Sequence, residues 1–140
     1  MKVLRPVLIA LGFLLVVSTV HAQEPVLKAT IPFAFVAGDR WMPAGDYVLN
    51  NQLAGSGLIA LRDEDLNKTS IVGTIPVSLA EPSKTTKLVF HRMGNEYFLY
   101  QVWVEGRATG REFPKGKVEI QMARNHTNAD EVIVAAVITR

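Results

Sequence analysis

The sequence predicts an all-β fold: a small antiparallel sandwich or partly open barrel of about seven strands, with one short helix near the C-terminus. Three observations predict it. Turn-forming residues recur at short intervals after residue 22, and the stretches between them are rich in Val, Ile, Phe, Tyr and Thr. Several of those stretches also alternate side chains with a period of two, the pattern of a strand. Cysteine is absent. No disulfide can therefore staple the fold, which must rest on apolar burial and backbone pairing.

The chain opens MKVLRPVLIALGFLLVVSTVHAQEP. Lys2 and Arg5 precede an apolar run from Val7 to Val17, and a small-residue tract from Ser18 to Ala22 follows. This is the layout of a secretory signal peptide. Val20 and Ala22 suit the small subsites before a cut, which places cleavage between Ala22 and Gln23. The apolar run falls short of the roughly 20 residues a membrane-spanning helix needs. Residues 1–22 are thus read as a leader and 23–140 as a single exported β domain, periplasmic or extracellular, whose membrane contact is transient and made through the leader only.

Lys2 and Arg5 are two of the 15 basic residues, and all 13 acidic ones lie beyond the leader, so the exported chain balances 13 basic against 13 acidic side chains. A near-neutral product has no overall field to draw in nucleic acid or anionic lipid. No nucleic-acid partner is expected. Removing 22 of 140 residues leaves 118, one domain's worth.

Strands are expected at residues 29–36, 45–50, 57–62, 69–77, 87–92, 96–104 and 131–138. In the first, Ile31, Phe33 and Phe35 share one face and point inward, since side chains alternate along a strand. Pro32 lacks a backbone donor, which puts that strand at an edge or at a bulge. GDRWMPAGDY then holds two breakers, Gly38-Asp39 and Pro43-Ala44-Gly45, around a loop-borne Trp41. Gly94-Asn95 between two β-rich runs predicts a hairpin with a type II′ turn. It pairs Met93 with Glu96, Arg92 with Tyr97, His91 with Phe98 and Phe90 with Leu99. One face of that hairpin then carries Leu88, Phe90, Arg92, Tyr97, Leu99 and Trp103; the other carries Val89, His91, Phe98, Tyr100 and Val102. Both faces are largely apolar, so the hairpin is central and covered on each side. Residues 105–116 read as a loop punctuated by Gly106, Gly110, Pro114 and Gly116. In KVEIQMARN, Val118, Ile120 and Met122 alternate like a strand, but Lys117, Glu119, Gln121, Met122, Ala123 and Arg124 are good helix formers; a short helix over 117–124 is the reading adopted. Residues 125–130 are a polar linker.

IPFAFVAGDRWMPAGDYVL, KLVFHRMGNEYFLYQVW and GREFPK, in that order behind a leader, resemble a group of short exported bacterial proteins with no assigned activity. Those proteins share an I-P-F-x-F...P-A-G-x-Y opening, an L-V-F-H-R-x-G-x-x-Y-F-L centre and a G-R-E-x-P-K tail. The resemblance covers most of the chain beyond the leader. It implies one secreted β domain and brings no catalytic residue with it. In the group, the segment after P-K begins with serine and resembles a capped helix; here Gly116 stands in that place.

The chemistry-bearing residues are few. His91 and His126 are the only histidines beyond the leader, too few with no cysteine for a structural zinc site, which takes about four N or S ligands. No metal and no cofactor are expected. Asp63, Asp65 and Asn67 stand at positions 1, 3 and 5 of a calcium loop, but Lys68 replaces its glycine and Thr74 its glutamate. No Gly-x-Ser-x-Gly elbow marks a nucleophilic serine. Arg107, Arg111, Lys115 and Lys117 make the loop after the hairpin basic, with Glu105, Glu112 and Glu119 interspersed. Mixed signs favour salt bridges or solvation there over contact with an anion or partner. The candidate binding surface is an aromatic one, Trp41, Tyr97 and Tyr100 near Arg92 and Arg107, where rings offer stacking area to sugars or apolar ligands.

The function expected on these grounds is an exported, non-enzymatic β domain that binds a protein or glycan partner. A carbohydrate- or apolar-ligand-binding module built on Trp41 and its neighbours is one alternative. Another is a small hydrolase joining His91 to Glu96, Glu105 or Glu112, which needs two such groups within hydrogen-bond reach in a cleft. An outer-membrane barrel fits poorly, because its strands run about 9–11 residues.

Overall fold

The computed structural model describes residues 25–53, 56–126 and 128–139. The expected leader, with its cut between Ala22 and Gln23, lies outside the described residues. The fold is β throughout, apart from one helix: β1 Val26–Ile31, β2 Phe35–Ala37, β3 Arg40–Met42, β4 Gly45–Leu53, β5 Leu58–Asp63, β6 Lys68–Gly73, β7 Ile75–Ser78, β8 Lys87–Met93, β9 Glu96–Trp103, β10 Thr109–Glu112, α1 Lys117–Asn125, β11 Asp130–Ala135 and β12 Val137–Thr139. The first sheet has the order β12-β1-β4-β5-β6; the second runs β11-β8-β9-β10-β7, with β2 joining β3 to β9. Pairing is antiparallel except where β2 meets β9 in parallel at Val36 and Phe98. The two sheets face each other as a sandwich, not a closed barrel.

Twelve strands replace the seven expected, chiefly because three β-rich runs each cross from one sheet to the other. The run 29–36 breaks after Ile31, where Pro32 cannot donate to a ladder, and β1 and β2 lie in different sheets. The run 69–77 divides at Thr74, whose N–H and hydroxyl both donate to the Gly57 carbonyl at 2.7 Å. The run 131–138 divides at Ala136, whose N–H donates to the Thr86 carbonyl at 3.1 Å. The second and third crossings thus satisfy a backbone donor that the ladder has released. The consequence is architectural. β6 and β12 are the edges of the first sheet, and β7 and β11 end the main run of the second, which β3 also edges beyond β2, so on both flanks one continuous stretch of chain forms the edge of both sheets. Strands that bend across in this way make the corners of a sandwich.

Trp41 lies in strand β3 rather than in a loop, and β10 forms within the segment read as a loop. β3 is held by a short hairpin in which Val36 pairs with Trp41 and Ala37 with Arg40, closed by Gly38 at φ +62°.

The inner faces meet in one core that joins Ile31, Tyr47, Leu49 and Leu61 of the first sheet to Phe35, Leu88, Phe90 and Leu99 of the second. Its aromatic centre is ordered by ring geometry. Phe35 meets Tyr47 and Phe90 edge to face at 5.2 and 5.5 Å, while Phe33 meets Phe90 edge to face at 5.0 Å and stacks on Tyr97 at 3.8 Å. Burying a phenylalanine side chain stabilises by about 1.5–3 kcal/mol, and oriented ring pairs add roughly 0.5–1.5 kcal/mol each. Tyr47 is wholly buried, yet its hydroxyl is used: it donates to the Pro43 carbonyl at 2.6 Å and lies 3.4 Å from Asp63 Oδ2. Burial, and then the Asp63 charge, push the Tyr47 phenol up.

The central hairpin has the register expected, Met93–Glu96 through Phe90–Leu99. Gly94 takes φ +61° while Asn95 keeps a negative φ, as a type II′ turn requires. Beyond Leu99 the register shifts, and Val89 pairs with Gln101. Tyr100 is the extra residue of a β-bulge, so two successive side chains, Tyr100 and Gln101, fall on the outer face. Everything after it is inverted relative to strict alternation. Val102 joins the inter-sheet core and Trp103 turns outward, where its ring lies flat over Gly110. A Cβ on Gly110 would sit 2.6 Å from that ring. The expected faces of Val102 and Trp103 are therefore exchanged by one inserted residue.

Helix α1 covers part of that outer face. It spans nearly the segment expected, ending at Asn125. Met122 packs on Val36, Met93 and Phe98, and Glu119, one turn earlier, is also turned inward, while Val118 and Ile120 are exposed. The helix start is held from a distance. Gly116 at the N-cap makes no side-chain cap; instead Asp39 Oδ1, in the β2–β3 turn, accepts the Lys117 N–H at 2.8 Å. A Cβ on Gly116 would strike the Gly38 carbonyl and lie 2.5 Å from Asp39 Oδ1. Its φ of −76° is open to any residue, so space alone demands glycine here.

Candidate functional site

The five residues expected to form a binding surface do not share one. Trp41 is 66% exposed on β3. Tyr97 faces the space between the sheets, stacked on Phe33, whereas Tyr100 stands on the outer face, stacked on His91 with centroids 3.9 Å apart. Arg92 is exposed and bonds to Asp130 Oδ2 at 2.8 Å, which, with Tyr97, raises its pKa. Arg107 lies in the β9–β10 connection at the other end of the hairpin, where its carbonyl accepts the Ser83 N–H at 2.8 Å and its own N–H donates to the Val104 carbonyl at 3.1 Å.

The structure instead builds two places where polar groups gather. The first is the outer face under α1. The bulge aims Tyr100 over His91, Gln101 donates to Glu112 Oε2 at 2.8 Å, and Trp103 Nε1 donates to Gln101 Oε1 at 3.0 Å. Burial, followed by Glu112, raises the Tyr100 phenol. His91 Nδ1 lies 3.9 Å from Glu119 Oε1, beyond hydrogen-bond reach, and that carboxylate oxygen has no hydrogen-bond partner. Burial dominates both groups. It lowers the His91 pKa, helped by the Lys115 charge, and raises that of Glu119. Each is driven toward its neutral form, the opposite of a strong ion pair.

His91 therefore meets Glu119 rather than Glu96, Glu105 or Glu112, and lies in a central strand. The hydroxyls of Thr30, Thr74, Ser83 and Thr139 are engaged with Asp46, Gly57, Thr85 and Val26. The Asp63 carboxylate, read above against a calcium loop, is turned to its own chain, accepting the N–H groups of Asp65 and Leu66 at 2.9 and 3.1 Å. Among the described residues, no three His, Asp or Glu side chains converge as metal ligands.

The second place is the cleft where the two sheets part at one end of the sandwich. Its volume is ≈ 260 Å³, and its walls are Leu27, Leu49 and Ile59 from the first sheet and Val102 and Val104 from the second. Asn50, Thr109, Arg107 and Arg111 supply the polar lining. Arg111 is the unexpected member. It pairs with Val102 across β9–β10, so its side chain shares the inward face. Its reach is visible at Gly57 on the opposite sheet, where an added Cβ would lie 3.9 Å from an Arg111 guanidinium nitrogen. The cleft lining holds two arginines and no acidic residue. His91, Tyr100 and Glu119 line neither this cleft nor the hollows near Lys28, Arg40 and Arg62.

The chain matches no protein-family model, no curated protein and no solved structure. Among the described residues no helix is long and apolar enough to cross a membrane.

Sequence reasoning named Arg111 only as one charge in a mixed loop. The signal that could have found it is alternation: Phe113 belongs to the inter-sheet core, and Arg111, two residues before it, falls on the same face of a strand.

Proposed function

We propose that this protein is an exported, non-enzymatic β domain that takes up a small apolar ligand between its sheets, in the periplasm or outside the cell. The observation that carries the reading is the cleft. It is an apolar concavity open to solvent with a few convergent polar groups, the usual form of a ligand site. Export is supported by the layout of residues 1–22 and by the resemblance to exported bacterial proteins. Against catalysis stands the outer face, where burial biases both His91 and Glu119 to neutrality and neither residue lines the cleft.

The test is displacement of an apolar fluorescent dye from the protein as the cell exports it. Val104 is half-buried at the cleft, so Val104→Trp fills the space without emptying the core. It should lower dye affinity by roughly tenfold or more, a loss of about 1.4 kcal/mol, while thermal stability holds. Unchanged dye binding by a folded Val104→Trp protein would refute the assignment.

Trp41 supports a second reading. A tryptophan that is 66% exposed on an edge strand is a stacking platform for a sugar ring. Quenching of its emission by oligosaccharides, lost in Trp41→Ala, would establish it.

A further inference from the structure

Resting on that reading of the cleft, we infer that its ligand is an amphipathic anion: a short unbranched apolar chain bearing a carboxylate or phosphate head that Arg111 holds from the inner face of β10. The apolar walls Leu27, Leu49, Ile59, Val102 and Val104 select the chain. The head is selected by charge. Lys28, Arg62 and Arg92 pair with carboxylates, as Lys28–Glu64, Arg62–Glu64 and Arg92–Asp130, and none of these pairs uses Arg111. A guanidinium turned toward an apolar space is costly without a counter-charge, and the lining offers none of its own. An anion entering from solvent completes it.

The guanidinium fork matches planar or tetrahedral oxyanions through paired N–H donors. Arg107 at the same cleft adds a second positive charge, and Asn50 and Thr109 add neutral hydrogen-bonding groups. Size narrows the class further. At ≈ 260 Å³ the cleft is smaller than the roughly 300–1,000 Å³ typical of drug-sized ligands, which suits a single short chain. A neutral apolar ligand would leave Arg111 desolvated and unpaired. A cationic amphiphile would add repulsion to that.

The experiment uses the exported protein and four probes with the same ten-carbon chain: decanoate, decyl phosphate, decanol and decyltrimethylammonium, each competed against the apolar dye. An anionic probe should bind at least about tenfold tighter than decanol, the scale of a charge-assisted hydrogen bond, with the cation weakest. The better of the two anions identifies the head group. Arg111→Gln should bring the anions to the level of decanol while decanol itself is unchanged. If that variant fails to fold, wild-type salt dependence serves instead, since added salt weakens an ionic contact and should loosen the anions without loosening decanol. Decanol binding as tightly as both anions overturns the anionic head and leaves the apolar cleft standing. Failure of all four probes to displace the dye overturns both.

Discussion

Replacing Gly116 by serine sets two physical arguments against each other with opposite signs. Judged along the chain alone, serine at a helix N-cap supplies the side-chain acceptor that glycine lacks and should stabilise by a few tenths of a kcal/mol. The structure reverses this. A Cβ at residue 116 collides with the Gly38 carbonyl and stands 2.5 Å from Asp39 Oδ1, the atom that accepts the Lys117 N–H. One obstacle is backbone and cannot swing away. Overpacking of this kind costs about 1–3 kcal/mol, and displacing the Asp39 cap costs about 1 kcal/mol more, against which the new serine cap recovers at most a similar amount. The net is a destabilisation of roughly 1–3 kcal/mol. With an unfolding entropy near 2.1 cal/mol/K per residue over about 115 residues, each kcal/mol corresponds to about 4 °C, so the midpoint should fall by about 4–12 °C. Thermal unfolding followed by circular dichroism and tryptophan emission measures it, with Asp39→Ala and the double variant alongside. The two losses should be less than additive, because the first already removes the cap that the second displaces. A Gly116→Ser midpoint equal to or above wild type would refute the packing argument.

Tyr47→Phe leaves the Pro43 carbonyl unpaired and takes a donor from beside the buried Asp63, so denaturant titration should show a loss of roughly 1–2 kcal/mol; no loss would mean the hydroxyl is idle. For Glu119→Gln the effect depends on pH. The Glu119 pKa is raised above 4.5 by burial, so its favourable contribution is present below that value and lost as pH rises through the folded one. The His91 pKa is lowered below 6.5, first by burial, so its contribution is present above 6.5 and lost on acidification. Glu119→Gln removes the first dependence and keeps the second. The stability of the variant relative to wild type should therefore increase from pH 5 to pH 8, and a difference constant across that range would contradict the directions given. Trp41→Ala should change stability by no more than about 0.5 kcal/mol, as at other exposed positions, and leave an emission spectrum dominated by the buried Trp103; a larger loss would place Trp41 in a packed contact.

What could be read in advance followed from rules that act over neighbouring residues. Gly94-Asn95 dictated a turn, the turn dictated the first four pairs of the hairpin, and helix-forming side chains outweighed the alternation of Val118, Ile120 and Met122. The reading failed where a long-range event leaves no local mark. Thr74 and Ala136 lie within runs that keep their β character on both sides, because each half is a strand in its own sheet. Only Pro32 carries a chemical reason to break. The bulge at Tyr100 is silent in the same way, since one inserted residue between two apolar alternations looks like continued alternation, yet it exchanges the faces of Val102 and Trp103. The aromatic surface dissolved for a simpler reason: Tyr97 and Tyr100 are three residues apart, and alternation puts them on opposite sides of β9. Arg111 escaped notice because a strand of four residues with Arg and Glu at its end reads as loop until its pairing with Val102 is known.

The central claim is that the conspicuous aromatics of the central hairpin serve packing and that binding occurs at the open end of the sandwich. Titrating decanoate into isotope-labelled protein and following amide and methyl resonances tests this most directly. The account predicts shifts at Leu27, Leu49, Ile59, Val102 and Arg111, with His91, Tyr100 and Trp41 unmoved. Shifts confined to the outer face under α1 or to β3, with the cleft silent, would contradict it.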